Sequence, residues 1–445
     1  LNLNDLSVWA MGGETNFGIP PIRRTVSSSM LRDGDHVAAS SYGNRELNLT
    51  LELFSSTADT AAAQLQLLQR ELDREKNILQ YTPGGATNTV FFRTFRTSPD
   101  AVRWDPNRRQ VKVTILAEPF ALGLREDIAA ITVRNNPTLT NGLFANLTSI
   151  KGDVETPLFI EYADGAGGLA RSGFAVGVRW GSSPYPNHFH QAESMNLAAD
   201  TTVVADAAMS GGSKTRTTFA GFPALTLRLS MNFPNATDPA GAENWGVYRI
   251  FARVAQTVAG DVITMAAAGG GAYNRAVQIK SQTQPQLVDL GTVDTTSGLP
   301  TFGGYAATEY RVSDQMGINI KAGRTSGSGN LDIDYVAFVP ADECFGAWTA
   351  FADPLVTTDL GVIDGPNAAV YIAEALNGAT PGRHGIRTTS IFGRLPIVRP
   401  GDNRLVIVES SQGQTPPTSN LLTTTISMTC RYWPRYVSIA RPATT

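Results

Sequence analysis

Cysteine is nearly absent from these 445 residues, with Cys344 and Cys430 the only two. Two thiols build neither a disulfide framework for a chain this long nor a cysteine zinc site. They read as reduced and buried, with a single bridge between them left open. Histidine is scarce too, at four. His188 and His190 would point to one side of a strand, but no third ligand stands near them. Pro184, Pro186 and Asn187 mark the stretch as exposed linker rather than a metal site. Charged residues make up only 17% of the chain and nearly balance, for a net charge of −3. Without a basic stripe, nucleic acid is not an expected partner. No apolar run approaches the roughly 20 residues that cross a bilayer as a helix, so membrane insertion is not expected. The opening Leu1-Asn2-Leu3-Asn4-Asp5 lacks the basic and apolar regions of a secretory signal.

Catalytic signatures are missing as well. No Gly-x-Ser-x-Gly stands in a strand-to-helix setting, and no Gly-x-x-x-x-Gly-Lys-Ser/Thr occurs. The chain reads as a non-enzyme.

What is present is β texture. Apolar residues make up 42%, with 42 glycines and 25 prolines, a mix that suits many short strands joined by turns. The length implies two to four domains. In residues 1–134, Glu46 to Leu53 alternates apolar and polar without a break, and Tyr42-Gly43-Asn44 supplies turn chemistry, so 37–54 reads as a hairpin. Ala61, Leu65, Leu68, Leu72 and Leu79 then form one helical stripe. This predicts a helix over 59–79, N-capped by Thr57 or Asp59, that covers one face of a small antiparallel sheet. Residues 135–187 and 344–445 share a strand-and-loop texture, and Arg404–Val408 and Thr424–Tyr432 read as an antiparallel pair. Between them, 188–343 is rich in Gly, Ser, Thr and Ala. It carries strand signals at 225–233, 246–254, 261–266, 275–280, 286–290, 309–313, 317–322 and 333–339, the pattern of a sandwich or jelly roll.

Four segments give 188–343 its resemblance to the jelly-roll carbohydrate-binding modules of the family-6 and family-35 type. They are the opening Gln191-Ala192-Glu193-Ser194, then Ala207-Ala208-Met209-Ser210-Gly211-Gly212-Ser213, the strand Trp245–Arg253, and the closing Asn330-Leu331-Asp332-Ile333-Asp334-Tyr335. The resemblance implies a structural calcium ion tying the opening strand to the closing one, with Glu193, Asp332 and Asp334 as its ligands. It also implies sugar binding at loop ends, where Trp245, Tyr305 and Asn330 are the candidates.

The flanks resemble siphophage distal tail and minor tail proteins. The matching runs are Asp33-Gly34-Asp35 with Gly43-Asn44-Arg45-Glu46-Leu47, Gly152-Asp153-Val154-Glu155-Thr156-Pro157-Leu158, Pro400-Gly401-Asp402-Asn403, and Arg431-Tyr432-Trp433-Pro434-Arg435-Tyr436. The fold so implied is mainly β: a small α+β ring-forming domain (1–134), a split β-sandwich (135–187 plus 344–445) and an inserted jelly roll (188–343). The implied role is a virion structural protein at the tail tip, joining tube to tip, with adhesion to host-surface polysaccharide through the inserted module. Its implied partners are further copies of itself in a ring, a hexamer favoured over a trimer, and other tail proteins: tube, tape measure and hub. Two other readings fit the module: a tail protein that does not bind sugar, and a secreted carbohydrate-binding accessory of a glycoside hydrolase.

Overall fold

A computed structural model describes residues 1–3, 8–29, 32–55, 57–82, 89–104, 109–134, 144–164, 171–180, 189–207, 209–232, 247–269, 272–273, 276–279, 281–283, 285–294, 317–341, 344–349, 360–374, 385–388, 390–411 and 425–438. Among these the chain is mainly β with one α-helix. It divides into two compact units. The first comprises Leu1–Glu126, Lys151–Thr156 and Trp433–Thr445, and the second comprises Asp127–Ile150 and Pro157–Tyr432.

The first unit is built on an eight-stranded sheet. Its path runs Trp9–Met11, Arg45–Leu53, Arg109–Ala117, Val90–Phe95, Ala121–Leu122 and Arg435–Tyr436, with Lys76–Tyr81 and Ala101–Trp104 pairing off it. The alternation in Arg45–Leu53 places Leu47, Leu49, Leu51 and Leu53 in the core, where they meet Val111, Val113 and Ile115 of the neighbouring strand. Helix Ala58–Leu72 packs Ala61, Leu68 and Leu72 into the same core. Its N-cap is Thr57: the Thr57 hydroxyl accepts from the Thr60 N–H at 3.2 Å, and the Thr60 hydroxyl accepts from the Thr57 N–H at 3.3 Å.

The helix is shorter than the predicted 59–79. The polar run Asp73-Arg74-Glu75 interrupts the apolar stripe, and Leu79 lies on strand Lys76–Tyr81, where half-buried and exposed residues alternate. The expected 37–54 hairpin does not form either. Arg32–Tyr42 pairs with Ile22–Ser29 in a separate two-stranded hairpin, while Arg45–Leu53 pairs with Trp9–Met11 and Arg109–Ala117. A local turn signal reports a change of direction; it does not report which strands then pair.

The second unit contains two sandwiches. In the first, a six-stranded sheet (Glu126–Arg134, Thr425–Tyr432, Phe159–Asp164, Leu360–Asp364, Ala369–Glu374, Gly385–Thr388) faces a five-stranded one (Phe144–Ile150, Gly401–Ser411, Arg171–Trp180, Cys344–Thr349, Ser390–Gly393). Ile160, Ile363, Met428 and Cys430 from one sheet meet Leu147, Val176, Leu405 and Ile407 from the other. The expected antiparallel pairing of Arg404–Val408 with Thr424–Tyr432 is therefore corrected: these strands lie in opposite sheets and meet across the core. Burial pushes the free Cys430 thiol up to about 12. Only the thiolate reacts with alkylating reagents, so Cys430 should stay unlabelled in native buffer and become labelled after denaturation, as read by peptide mass mapping. Native labelling at the rate of an open cysteine would contradict this burial.

The chain leaves this sandwich after Trp180 and re-enters at Cys344, and the two points adjoin because Val178 pairs with Cys344. The described residues between these points form the second sandwich, of two six-stranded sheets. Its core joins Tyr248, Ile250, Leu290, Val336 and Phe338 of one sheet to Leu229, Ile263, Met265, Ile318 and Ile320 of the other. The outer face of the first of these sheets is covered as well. Phe189, Phe251, Tyr335, Ala337 and Val339 pack against Ala175, Val406 and Val408 of the five-stranded sheet. This double coverage explains why Leu331–Pro340 is buried at every position and why Leu405 to Val408 is apolar without alternation. Thr201–Ala205 and Ser213–Thr217 are two further strands, and the second carries no apolar residue.

Candidate functional site

In the first unit, four segments separated in sequence meet at one joint. The Asp153 N–H donates to the Arg435 carbonyl at 2.8 Å, and the Asp153 carboxylate accepts from the Val437 N–H at 3.0 Å. Thr156 Oγ1 donates to the Trp433 carbonyl at 2.8 Å, and the Gly123 N–H donates to the Pro434 carbonyl at 2.7 Å. Gly152 holds φ +125°, and a Cβ there would lie 3.0 Å from the Arg435 carbonyl oxygen, so only glycine fits without strain. Arg45, fully buried, donates through Nη2 to the Val437 carbonyl and lies over the Phe92 ring at 5.4 Å. Its Nε and Nη1 have no hydrogen-bond partner among the described residues, and burial lowers its pKa. The runs quoted above around Arg45, around Gly152 and at Trp433–Tyr436 thus converge. In the second unit, the fourth run makes a turn in which the Asn403 amide accepts from the Arg399 N–H and donates to the Arg399 carbonyl.

A second candidate lies at one end of the 189–340 sandwich. Arg324, nearly buried, donates to the Gly329 carbonyl at 2.5 Å and to the Gly221 carbonyl at 2.7 Å. One guanidinium therefore holds two loops together and brings the next residues, Phe222 and Asn330, to the same end. Arg324 also lies over the Phe219 and Phe222 rings. The Asp261 carboxylate accepts from the Ser328 and Gly329 N–H groups at 3.0 and 2.6 Å. Asn330 exchanges bonds with Thr257, its N–H donating to Thr257 Oγ1 and its carbonyl accepting from the Thr257 N–H. Phe222 is 66% exposed and Val258 45%. An exposed aromatic ring is a surface on which the C–H face of a sugar can stack. Of the three residues expected to bind sugar, Asn330 is at this end, while Trp245 and Tyr305 lie outside the described residues. Phe222 went unnoticed in the sequence; its signal was an aromatic bracketed by the turn residues Gly221 and Pro223.

The three expected calcium ligands belong to a third cluster, on the opening and closing strands. Phe189–Gln191 pairs antiparallel with Leu331–Pro340, and Glu193 follows on the next turn. Asp332 accepts from Arg216 at both oxygens, at 2.7 and 2.8 Å, and from Lys214 at 2.8 Å. Lys214 also bonds Asp206 at 2.7 Å. Asp334 accepts from the Ser210 N–H at 2.8 Å and from Arg253 Nη1. Burial pushes the Asp334 carboxyl up, with Arg253 and the Ser210 N–H pulling it back. Burial likewise raises Glu193, opposed by its own backbone N–H and reinforced by the charge of Asp334. Burial alone would lower Lys214, but its bonds to Asp206 and Asp332 outweigh this and hold it above its ordinary value. Calcium needs six to eight oxygens free to face it. Here the oxygens of both aspartates are already taken by Arg, Lys or backbone N–H donors, while Glu193 Oε2 and Arg253 Nη2 are buried without a hydrogen-bond partner among the described residues. The residues present do not fit a calcium ion. Among the described residues no group of three or more metal-ligating side chains occurs.

No family model matches the chain, and no curated protein matches it. Among solved structures, the Dit (gp 19.1) hub protein of phage SPP1 is similar at 10% identity and a TM-score of 0.29, over 74% of this chain and 94% of that one. A chain of the phage p2 baseplate in its activated conformation with Sr is similar at 10% identity and a TM-score of 0.21, over 75% of this chain and 92% of that one. A chain of the same baseplate with Ca gives 10% and 0.21, over 77% and 93%. Likenesses this distant assign no function.

Proposed function

We propose that this chain is a structural component of a phage tail tip, of the distal tail type, which joins tube to tip as a homo-oligomeric ring and adheres to host-surface polysaccharide. The observation that carries the reading is the joint in the first unit. Three runs quoted for their resemblance to tail proteins lie more than a hundred residues apart from one another, yet each supplies a specific contact there: Arg45, Gly152 with Asp153, and Trp433 to Val437. A ring needs a heterologous interface that closes by rotation. The hairpin Ile22–Tyr42 pairs with no other strand among the described residues, so its outer edges offer unpaired backbone groups to a neighbouring copy.

Adhesion is proposed at the loop end carrying Phe222 and Asn330. Several weak sites on one ring would act by avidity, so no single tight site is required. Native mass measurement of the purified chain is expected to show a six-fold assembly, with three-fold as the alternative ring. A persistent monomer, or absence from the tail tip in immunogold micrographs of the virion, would reject the ring. Phe222→Ser with Asn330→Ala should weaken retention on host-wall polysaccharide about tenfold or more while leaving the assembly intact, tenfold being about 1.4 kcal/mol. Equal retention of parent and variant would move adhesion away from this end.

A further inference from the structure

We infer that, at Asp332 and Asp334 of the closing strand of the 189–340 sandwich, the positive charge expected from a calcium ion is supplied instead by three of the chain's own cations, Arg253, Lys214 and Arg216, which bind that strand from its two neighbours. Asp206, Asp332 and Asp334 each face one or more of these bases within ion-pair distance, and of the acids of this cluster Glu193 alone has no such pair among the described residues. The geometry suits bases rather than an ion. Arg216 grips Asp332 with two parallel bonds, the arrangement in which a planar guanidinium matches a carboxylate. Arg253 reaches Asp334 from the neighbouring strand at a β-bulge. Arg253 pairs with Tyr335 and Val254 with Ile333, which leaves Asp334 as the extra residue. That bulge switches the inward face from Leu331 and Ile333 to Val336 and Phe338 and seats Asp334 where the Ser210 N–H and Arg253 both meet it. The opening strand needs no ion to be tied, because Phe189, His190 and Gln191 already pair with Ala337, Val336 and Tyr335. A divalent ion entering this cluster would have to displace groups already bonded to both aspartates and would meet their positive charge.

The inference stands whether or not the chain is a tail protein or binds sugar, and its test does not involve either. The full chain is melted in chelator and in millimolar calcium. Unchanged melting of the parent chain is expected. Arg253→Met should lower the melting temperature by several degrees, because it leaves the Asp334 charge buried without its partner. That variant, with its carboxylates freed, should then gain stability from added calcium. If Arg253→Met does not fold, Lys214→Met is expected to show the same new calcium response. Two results together would overturn the inference: a parent chain whose melting falls in chelator and recovers in calcium, and loss of that response in Asp334→Asn.

Discussion

A chain cut after Tyr432 is expected to lose the first unit's cooperative fold while keeping both sandwiches. The cut removes Trp433 to Val437 and with them the bonds to Gly123, Asp153, Thr156 and Arg45. At roughly 1 kcal/mol each, the five bonds at the joint come to about 5 kcal/mol. The cut also strips strand Arg435–Tyr436 from the sheet beside Ala121–Leu122. The largest single loss is at Arg45, a fully buried guanidinium whose one hydrogen bond to a described residue goes to the Val437 carbonyl. A buried charge with no acceptor costs more than an ordinary missing bond. The total is comparable to the whole stability of a typical domain, about 5–15 kcal/mol. Hydrogen exchange should show fast exchange over Arg45–Leu53 and Arg109–Ala117 in the truncated chain, with protection retained over Leu331–Pro340. Undiminished protection in the first unit would refute the joint's role. The proposed ring should disappear with it.

Gly177→Val should unseat the 189–340 sandwich. A Cβ at Gly177 would lie 2.3 Å from the Pro340 carbonyl oxygen and 2.7 Å from Val339 Cγ1, and the first of these is backbone that cannot rotate away. Gly177 sits between Val176 and Val178, whose side chains face the other side into the core. Its own face is the one carrying Ala175, which meets Val339, Ala337 and Phe189. Overpacking of this kind costs about 1–3 kcal/mol, and a branched side chain belongs at the upper end. Neighbouring Arg179 adds to the same seat, donating to the Tyr248 hydroxyl and lying over its ring at 5.7 Å. Limited proteolysis should release a fragment spanning the second sandwich from the variant but not from the parent chain. Identical digestion patterns would show that the two sandwiches tolerate separation here.

Much of the mainly-β fold was legible residue by residue. Alternation over Glu46–Leu53 marked a strand with one buried face, and that face is the core of the first unit. The stripe through Ala61, Leu65, Leu68 and Leu72 marks the helix, and of the two candidate caps, Thr57 and Asp59, the structure uses Thr57. The helix ends before the predicted 79 because Leu79, seven residues after Leu72, fits a helical stripe and a strand equally well and lies on strand Lys76–Tyr81. The strand Ser213–Thr217 is polar at every position and left no apolar pattern to read. Its side chains meet charge instead: Lys214 and Arg216 bind Asp332. The calcium site that the module resemblance implied at Glu193, Asp332 and Asp334 could not be weighed against these bases from the sequence, since a carboxylate's partner is not written beside it.

The sequence by itself determined local matters: where the chain extends, where it coils into its helix, where it turns, and that no familiar catalytic constellation is present. These follow from side-chain periodicity and backbone preference, which act over a few residues. The tertiary structure alone decided which strands pair, as with Arg32–Tyr42 and Ile22–Ser29, and which sheets face each other, as with Gly401–Ser411 and Thr425–Tyr432. It alone brought Arg45, Asp153 and Val437 to one joint, and Arg253 to Asp334. Pairing, burial and ionic partnership arise between residues distant in the chain, and their free energy depends on a geometry that no short stretch of sequence contains.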